Sequence, residues 1–189
     1  CHDVTLRNVD FVNAEETLWA CSGVTLDNVS AHGDYLAMNC ADVKADNLRL
    51  VGNYPFDGAR NVEISNSRLI SKDCFWNCEN VTVRDSFISG EQFVGGFVGC
   101  SANKVTIQNC TADHVKINSG RNWAGGYIGV LLNTKAVVKN CVERNAYILS
   151  PSYAGGLAGS LFRDNAAIYI TDMEFSNVMV VNRNNYGSG

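Results

Sequence analysis

The chain has 189 residues, 46% of them hydrophobic, with 19 acidic and 15 basic side chains and a formal net charge of −4. That length suits one good-sized domain or a run of small repeats, and the apolar fraction suffices for a continuous core. No basic patch is interleaved with aromatics and no stretch of about 18 apolar residues occurs, so neither nucleic acid binding nor membrane insertion is expected.

The predicted elements are short strands. Seventeen glycines stand against two prolines, Pro55 and Pro151. Helical patterns are missing, and valine and isoleucine recur in short runs broken by Asn, Asp, Gly and Ser, a strand-and-turn composition. In chain order, an anchoring valine stands at Val4, Val24, Val43, Val62 and Val81, at intervals of 20, 19, 19 and 19. It continues more loosely at Val105, Ala136 and Ile168, at intervals of 24, 31 and 32, which makes eight copies. Two residues after the anchor stand Leu6, Leu26, Ala45, Ile64, Val83, Ile107, Val138 and Ile170. Four after it stand Asn8, Asn28, Asn47, Asn66, Asp85, Asn109, Asn140 and Asp172.

A period near 20 also fits leucine-rich repeats, but their leucine spacing and helical return are absent. The columns predict a parallel β-solenoid, each coil stacked about 4.8 Å above the last. Alternation points the anchor and the residue two after it inward, and the residues between them outward. One coil cannot bury its apolar face; stacked coils can. The Asn/Asp column reads as a structural ladder at a sharp turn, in which each Asn both donates and accepts. We place it inward, which discounts glycosylation of the sequons at Asn28 and Asn109; a third sequon begins at Asn80. Asn also favours turns locally, but eight members in register favour the ladder.

Near residue 91 the pattern changes. "VGGFVG" (94–99), "AGGYIG" (124–129) and "AGGLAG" (154–159) follow Phe93, Trp123 and Tyr153. Paired glycines in a strand predict close backbone approach. These hexamers resemble GLUG repeats of large bacterial surface proteins, over roughly residues 91–189. Residues 1–92, with "VTLRNVDFVNAEETLWACSGVTLDNVSA" and "FWNCENVTVRDSFISGE", resemble an uncharacterised family of right-handed β-helix proteins of gut bacteria. The second resemblance implies right-handed coiling and carries no activity; the first implies a cell-surface or secreted setting. The chain starts and stops within a repeat, at Cys1 and in "NNYGSG", so a segment excised from a longer protein is expected. The two kinds of coil leave a chimera or designed fusion open.

Candidate chemistry lies on the outward columns. Right-handed β-helices include pectate lyases and polygalacturonases, which resemble one another in outward acidic clusters. Asp27 and Asp46 fall on adjacent coils beside Lys44 and Glu63. Two carboxylates that close could share a proton, bind calcium or serve a retaining glycosidase; the alternative is a solvated face of interspersed charges. The polygalacturonase signatures are absent. A second strip, five before the anchor, holds Trp19, Met38, Asp57 and Trp76. Its tryptophans could stack on sugar rings, or could close a corner of the coil. Leu18, Ala37, Phe56 and Phe75 then face the core. The eight cysteines show no zinc spacing and are expected as free thiols, mostly in apolar columns. His2, His32 and His114 lie in unrelated columns, which does not support a hydrolytic triad.

The expected fold is all-β: one continuous, single-stranded right-handed parallel β-helix over 1–189, of about eight coils with an Asn ladder. Regular 19–20-residue coils fill 1–90, and larger glycine-rich coils fill 91–189. The expected role is a non-catalytic structural or binding rod, adhesin-like, within a larger bacterial protein. The alternative is a carbohydrate-active enzyme or a carbohydrate-binding module using the outer faces. No cofactor or metal is expected. A glycan or another protein is the expected partner, with end-to-end or edge association where strand edges stay open.

Overall fold

The computed structural model describes residues 1–71 and 73–183; the terminal "NNYGSG" lies outside them. The described chain is all-β with no helix. The regular first half supplies β1 (His2–Phe11), β2 (Ser22–His32), β3 (Ala41–Asp46), β4 (Arg49–Val51), β5 (Arg60–Ser65), β6 (Arg68–Ile70), β7 (Glu79–Arg84) and β8 (Phe87–Gly90). The glycine-rich half supplies β9 (Val94–Gly95), β10 (Val98–Ser101), β11 (Val105–Gln108), β12 (Thr111–Asp113), β13 (Lys116–Ser119), β14 (Ala124–Gly125) and β15 (Ile128–Leu132). It continues with β16 (Lys135–Arg144), β17 (Tyr147–Ser150), β18 (Ala154–Gly155), β19 (Ala158–Phe162), β20 (Ala167–Ser176) and β21 (Met179–Asn182).

Every pairing among these strands is parallel. Fifteen strands form one sheet, and β9–β14–β18 and β10–β15–β19 form two of three strands each. The large sheet has two faces. The long β2 pairs with β3 through Ser22–Asp27 and with β4 through Ser30–His32, so it bends through a corner at Asn28. The third side of the regular coils is not strand: Glu16, Leu18, Ala20, Tyr35, Ala37 and Asn39 take left-handed φ values at every second residue. It is nonetheless laddered, with Tyr35 N donating to Asn53 O at 2.9 Å and Phe56 N to Leu36 O at 2.7 Å.

The first five anchors stack as read: Val4 opposes Val24, then Val43, Val62 and Val81. At the change of coil type the register differs from the sequence expectation by five residues. Thr82 opposes Thr111, which opposes Val142, so Cys110 and Cys141 continue the valine column where Val105 and Ala136 were expected. The expected Asn/Asp column is therefore two columns. Asn8, Asn28, Asn47, Asn66 and Asp85 continue into His114, Asn145 and Asn177, all at φ 49–53°. Asn109, Asn140 and Asp172 belong instead with Asp3, Gly23, Asp42, Asn61 and Asn80, all at φ 52–64°.

Neither column faces inward. Seven of the eight expected ladder residues are exposed and Asn47 is half-buried. Both columns sit at corners that demand left-handed backbone, where Asn and Asp are the least strained non-glycine residues. Their amides still link coils: Asn28 Nδ2 donates to Asn8 Oδ1 at 2.6 Å, Asn47 to Asn28 at 2.8 Å, and Asn140 to Asn109 at 2.8 Å. Asn66 turns aside and donates to Asp46 Oδ1 at 2.7 Å. The sequon residues Asn28, Asn80 and Asn109 consequently lie exposed at corners of the coils.

The core runs along the stack. Val24, Val43, Val62, Val81, Cys110 and Cys141 are buried over one another, as are Leu26, Ala45, Ile64, Val83 and Ala112. Behind them a ring stack runs Phe56–Phe75–Phe97–Tyr127, with centroids 5.5, 5.7 and 4.5 Å apart. The glycine pairs let successive backbones overlie: a Cβ on Gly96 would stand 2.1 Å from Gly126 O, and one on Gly126 2.0 Å from Gly156 O.

Candidate functional site

The register brings the outward charges together. Asp27 on β2 opposes Asp46 on β3, and Lys44 opposes Glu63 on β5. With Thr25 and Ser65 these residues line a shallow hollow of about 350 Å³. Each charge has a partner. Arg7 Nε lies 3.2 Å from Asp27 Oδ2, and Lys44 Nζ lies 3.8 Å from Glu63 Oε2. Asp46 Oδ1 accepts from Asn66 Nδ2 at 2.7 Å and from Ser65 Oγ at 2.8 Å. Those two donors hold the Asp46 carboxyl below the usual carboxylate range.

A retaining or inverting glycosidase needs one carboxylic acid whose pKa is raised so that it can protonate the leaving group. Asp46 is shifted the other way, and Asp27 is ion-paired. The arrangement supplies interspersed ion pairs along a solvated face. Among the described residues no group of three or more His, Cys, Asp or Glu side chains could hold a metal ion.

The second strip divides. Trp19 is 46% exposed, while Met38, Asp57 and Trp76 are half-buried beside the buried Ala37, Phe56 and Phe75 and the half-buried Leu18. Trp76 leans on Tyr54, with centroids 6.0 Å apart at 35°, and Tyr54 stacks on Tyr35 at 5.2 Å and 15°. Partial burial raises the Asp57 pKa, and a 3.1 Å hydrogen bond from Asn77 Nδ2 partly offsets it. The strip thus has two separated tryptophans with an acid between them. Trp76 is braced by tyrosines and Trp19 is not.

None of the eight cysteines forms a disulfide, and Cys21, Cys40, Cys74, Cys78, Cys110 and Cys141 are buried. Burial pushes the Cys74 thiol up to about 12, so it is inert as a nucleophile at neutral pH. His2 does have a serine partner, Ser22 Oγ at 2.6 Å, which its column did not suggest, and His114 pairs with Asp113 at 2.8 Å; neither histidine bonds both a hydroxyl and a carboxylate among the described residues, as a hydrolytic triad requires.

Three features escaped the sequence reading. Phe93, Trp123 and Tyr153 stack face to face, with centroids 4.9 and 5.8 Å apart and planes within 9°; their position before each hexamer was the signal. Glu143 lies in the core, in the column of Val83 and Ala112, and the five-residue offset hid it. Asp73 is buried and accepts from the backbone of Gly99 at 2.7 Å and Cys100 at 2.9 Å.

A family model described as "Protein of unknown function (DUF3737)" matches residues 1–119, which takes in the regular coils and the first glycine hexamer. No curated protein and no solved structure matches the chain.

Proposed function

The chain belongs to the DUF3737 family, and because that membership brings no activity with it, we propose from the geometry that the protein is a non-catalytic rod. The rod is a single right-handed parallel β-helix of about eight coils, continuous across both kinds of coil, that presents its outer faces to a partner. Parallel crossover connections are right-handed in about 98% of cases, which supports the handedness. The observation that carries the role is that both carboxylates are engaged: Asp27 pairs with Arg7, and Asp46 accepts from Asn66 and Ser65, which hold it ionised rather than poised to donate a proton. The ladder columns serve the rod by joining its corners.

Edge association belongs to the same reading. A second reading, a glycan-binding module on the Trp19–Asp57–Trp76 strip, is favoured by the braced Trp76 ring beside a half-buried acid.

The test is incubation with pectic and other acidic glycans, with and without calcium, followed for new reducing or unsaturated ends. No products are expected. Cleavage that disappears in Asp27→Asn would overturn the rod. Binding without cleavage that disappears in Trp76→Ala would select the module.

A further inference from the structure

We propose that the cleft where short coils give way to long ones is a subsite for one pyranose residue of a neutral glycan, seated with its apolar face on Phe93. The cleft measures about 360 Å³ and is lined by Asn53, Ile70, Ser71, Gly90, Glu91, Gln92 and Phe93. It exists because neighbouring coils differ in width. Ser71 N bonds Ser89 O at 2.8 Å, and Phe75 N bonds Phe97 O at 2.9 Å. Four residue steps in one coil therefore face eight in the next, and the surplus around residues 91–93 overhangs the coil before it.

Phe93 is prepared as a platform. Trp123 covers one face of its ring at 4.9 Å, with planes 5° apart, and Tyr153 braces Trp123 in turn. Asn53, Ile70 and Ser71 come from preceding coils, so the cleft lies against the other face, which no described ring covers. Phe93 alone of the three stacked aromatics has left-handed backbone, at φ 56°. Left-handed aromatics recur along this side of the coils, at Tyr35, Tyr54 and Phe56, so the conformation belongs to the wall that holds the Phe93 ring in place.

The rest of the cleft matches a sugar's hydroxyl edge. Ser71 is 3% exposed, and its hydroxyl lies near the buried Cys74 thiol and has no hydrogen-bond partner of proper geometry. The side-chain amides of Asn53 and Gln92 make no hydrogen bond to described residues. The Glu91 carboxylate at the rim is neutralised by Arg121 at 2.7 Å. A pyranose has one face of C–H groups and an edge of hydroxyls, which suits a ring floor with amide and hydroxyl walls. With Glu91 offset by Arg121, the described lining carries no net charge, which suits a neutral sugar.

The proposal names a ligand for the rod described above and rests on that reading only in treating the surface as non-catalytic. The probes are methyl β-glucopyranoside, methyl β-galactopyranoside and methyl α-mannopyranoside, followed by saturation-transfer NMR on the whole chain. At least one should show transfer concentrated on the protons of one ring face. Affinity should fall about tenfold in both Phe93→Ala and Phe93→Leu, the latter keeping apolar volume without the ring face. No transfer from any of the three, or transfer that survives both Phe93 variants, overturns the subsite and leaves the rod standing. Methanol release in the same spectra overturns the rod and leaves the subsite standing.

Discussion

Glu143 is an acid in an apolar column. It stands above Val83 and Ala112, is 0% exposed, and neither carboxyl oxygen has a hydrogen-bond partner. Gly126 makes room for it: a Cβ there would lie 2.1 and 2.3 Å from the two oxygens. The Tyr127 hydroxyl beside it reaches the carbonyls of Val142 at 2.8 Å and Cys110 at 3.1 Å instead. The ionisable group beside it, Tyr127, is itself an acid, and no described cation pairs with it. Burial pushes its pKa up from 4.5 to about 8. Below pH 4.5 the folded and unfolded states both hold the proton. Between 4.5 and about 8 only the folded state keeps it, so stability falls as pH rises and levels off above that window. A shift of that size corresponds to on the order of 4–5 kcal/mol. Glu143→Gln keeps the shape and removes the titration. Urea midpoints should fall with pH across the window in the wild type and stay nearly flat in the variant, leaving the variant the more stable above pH 8. Parallel pH profiles for the two proteins would show that Glu143 does not titrate in the core.

The corner columns join one coil to the next, and Asn47 shows what they require. Its backbone sits at φ 52° and its amide donates to Asn28 Oδ1 at 2.8 Å. Asn47→Gly should lose only the hydrogen bond, about 0.5–1.5 kcal/mol. Asn47→Ala should lose that and add the left-handed penalty, about 1–2 kcal/mol more. Equal denaturation midpoints for the two variants, or a more stable Ala, would mean that the corner does not need left-handed backbone. The existence of these columns was legible from the 19-residue interval; their number was not. "VTVRD" at 81–85 and "VTIQN" at 105–109 share one pattern, and both corners of a coil select Asn or Asp for the same conformational reason. Letters alone cannot say which corner a given Asn occupies. The insertion around 91–104 decides it, by setting Thr82 against Thr111. The outward placement of Asp27, Lys44, Asp46 and Glu63 followed from strand alternation. The diversion of Asn66 to Asp46 depends on side-chain geometry that periodicity does not carry. The Phe93 cleft is a mismatch between two coil widths, so no single repeat contains its signal.

In the stack as a whole each coil touches only its neighbours, so the boundary between coil types governs whether the halves unfold together. Asp73 spans that boundary. It is 2% exposed and sits in the regular half, while the Gly99 and Cys100 amides it accepts from lie on β10 of the glycine-rich half. Asp73→Ala would leave two N–H groups without that acceptor, at about 1–3 kcal/mol each when buried. The ring stack crossing from Phe75 to Phe97 at 5.7 Å would remain, so both halves should still fold. Three tryptophans report on the two sides: Trp19 and Trp76 in the regular coils, Trp123 in the glycine-rich ones. In single-tryptophan versions of the wild type the three fluorescence transitions in urea should coincide. In Asp73→Ala the Trp123 transition should separate from the other two, and Asp73→Asn, which keeps an acceptor oxygen, should restore coincidence. Coincident transitions in Asp73→Ala would show that the ring stack and strand pairing couple the halves without the carboxylate, and would remove Asp73 from that role.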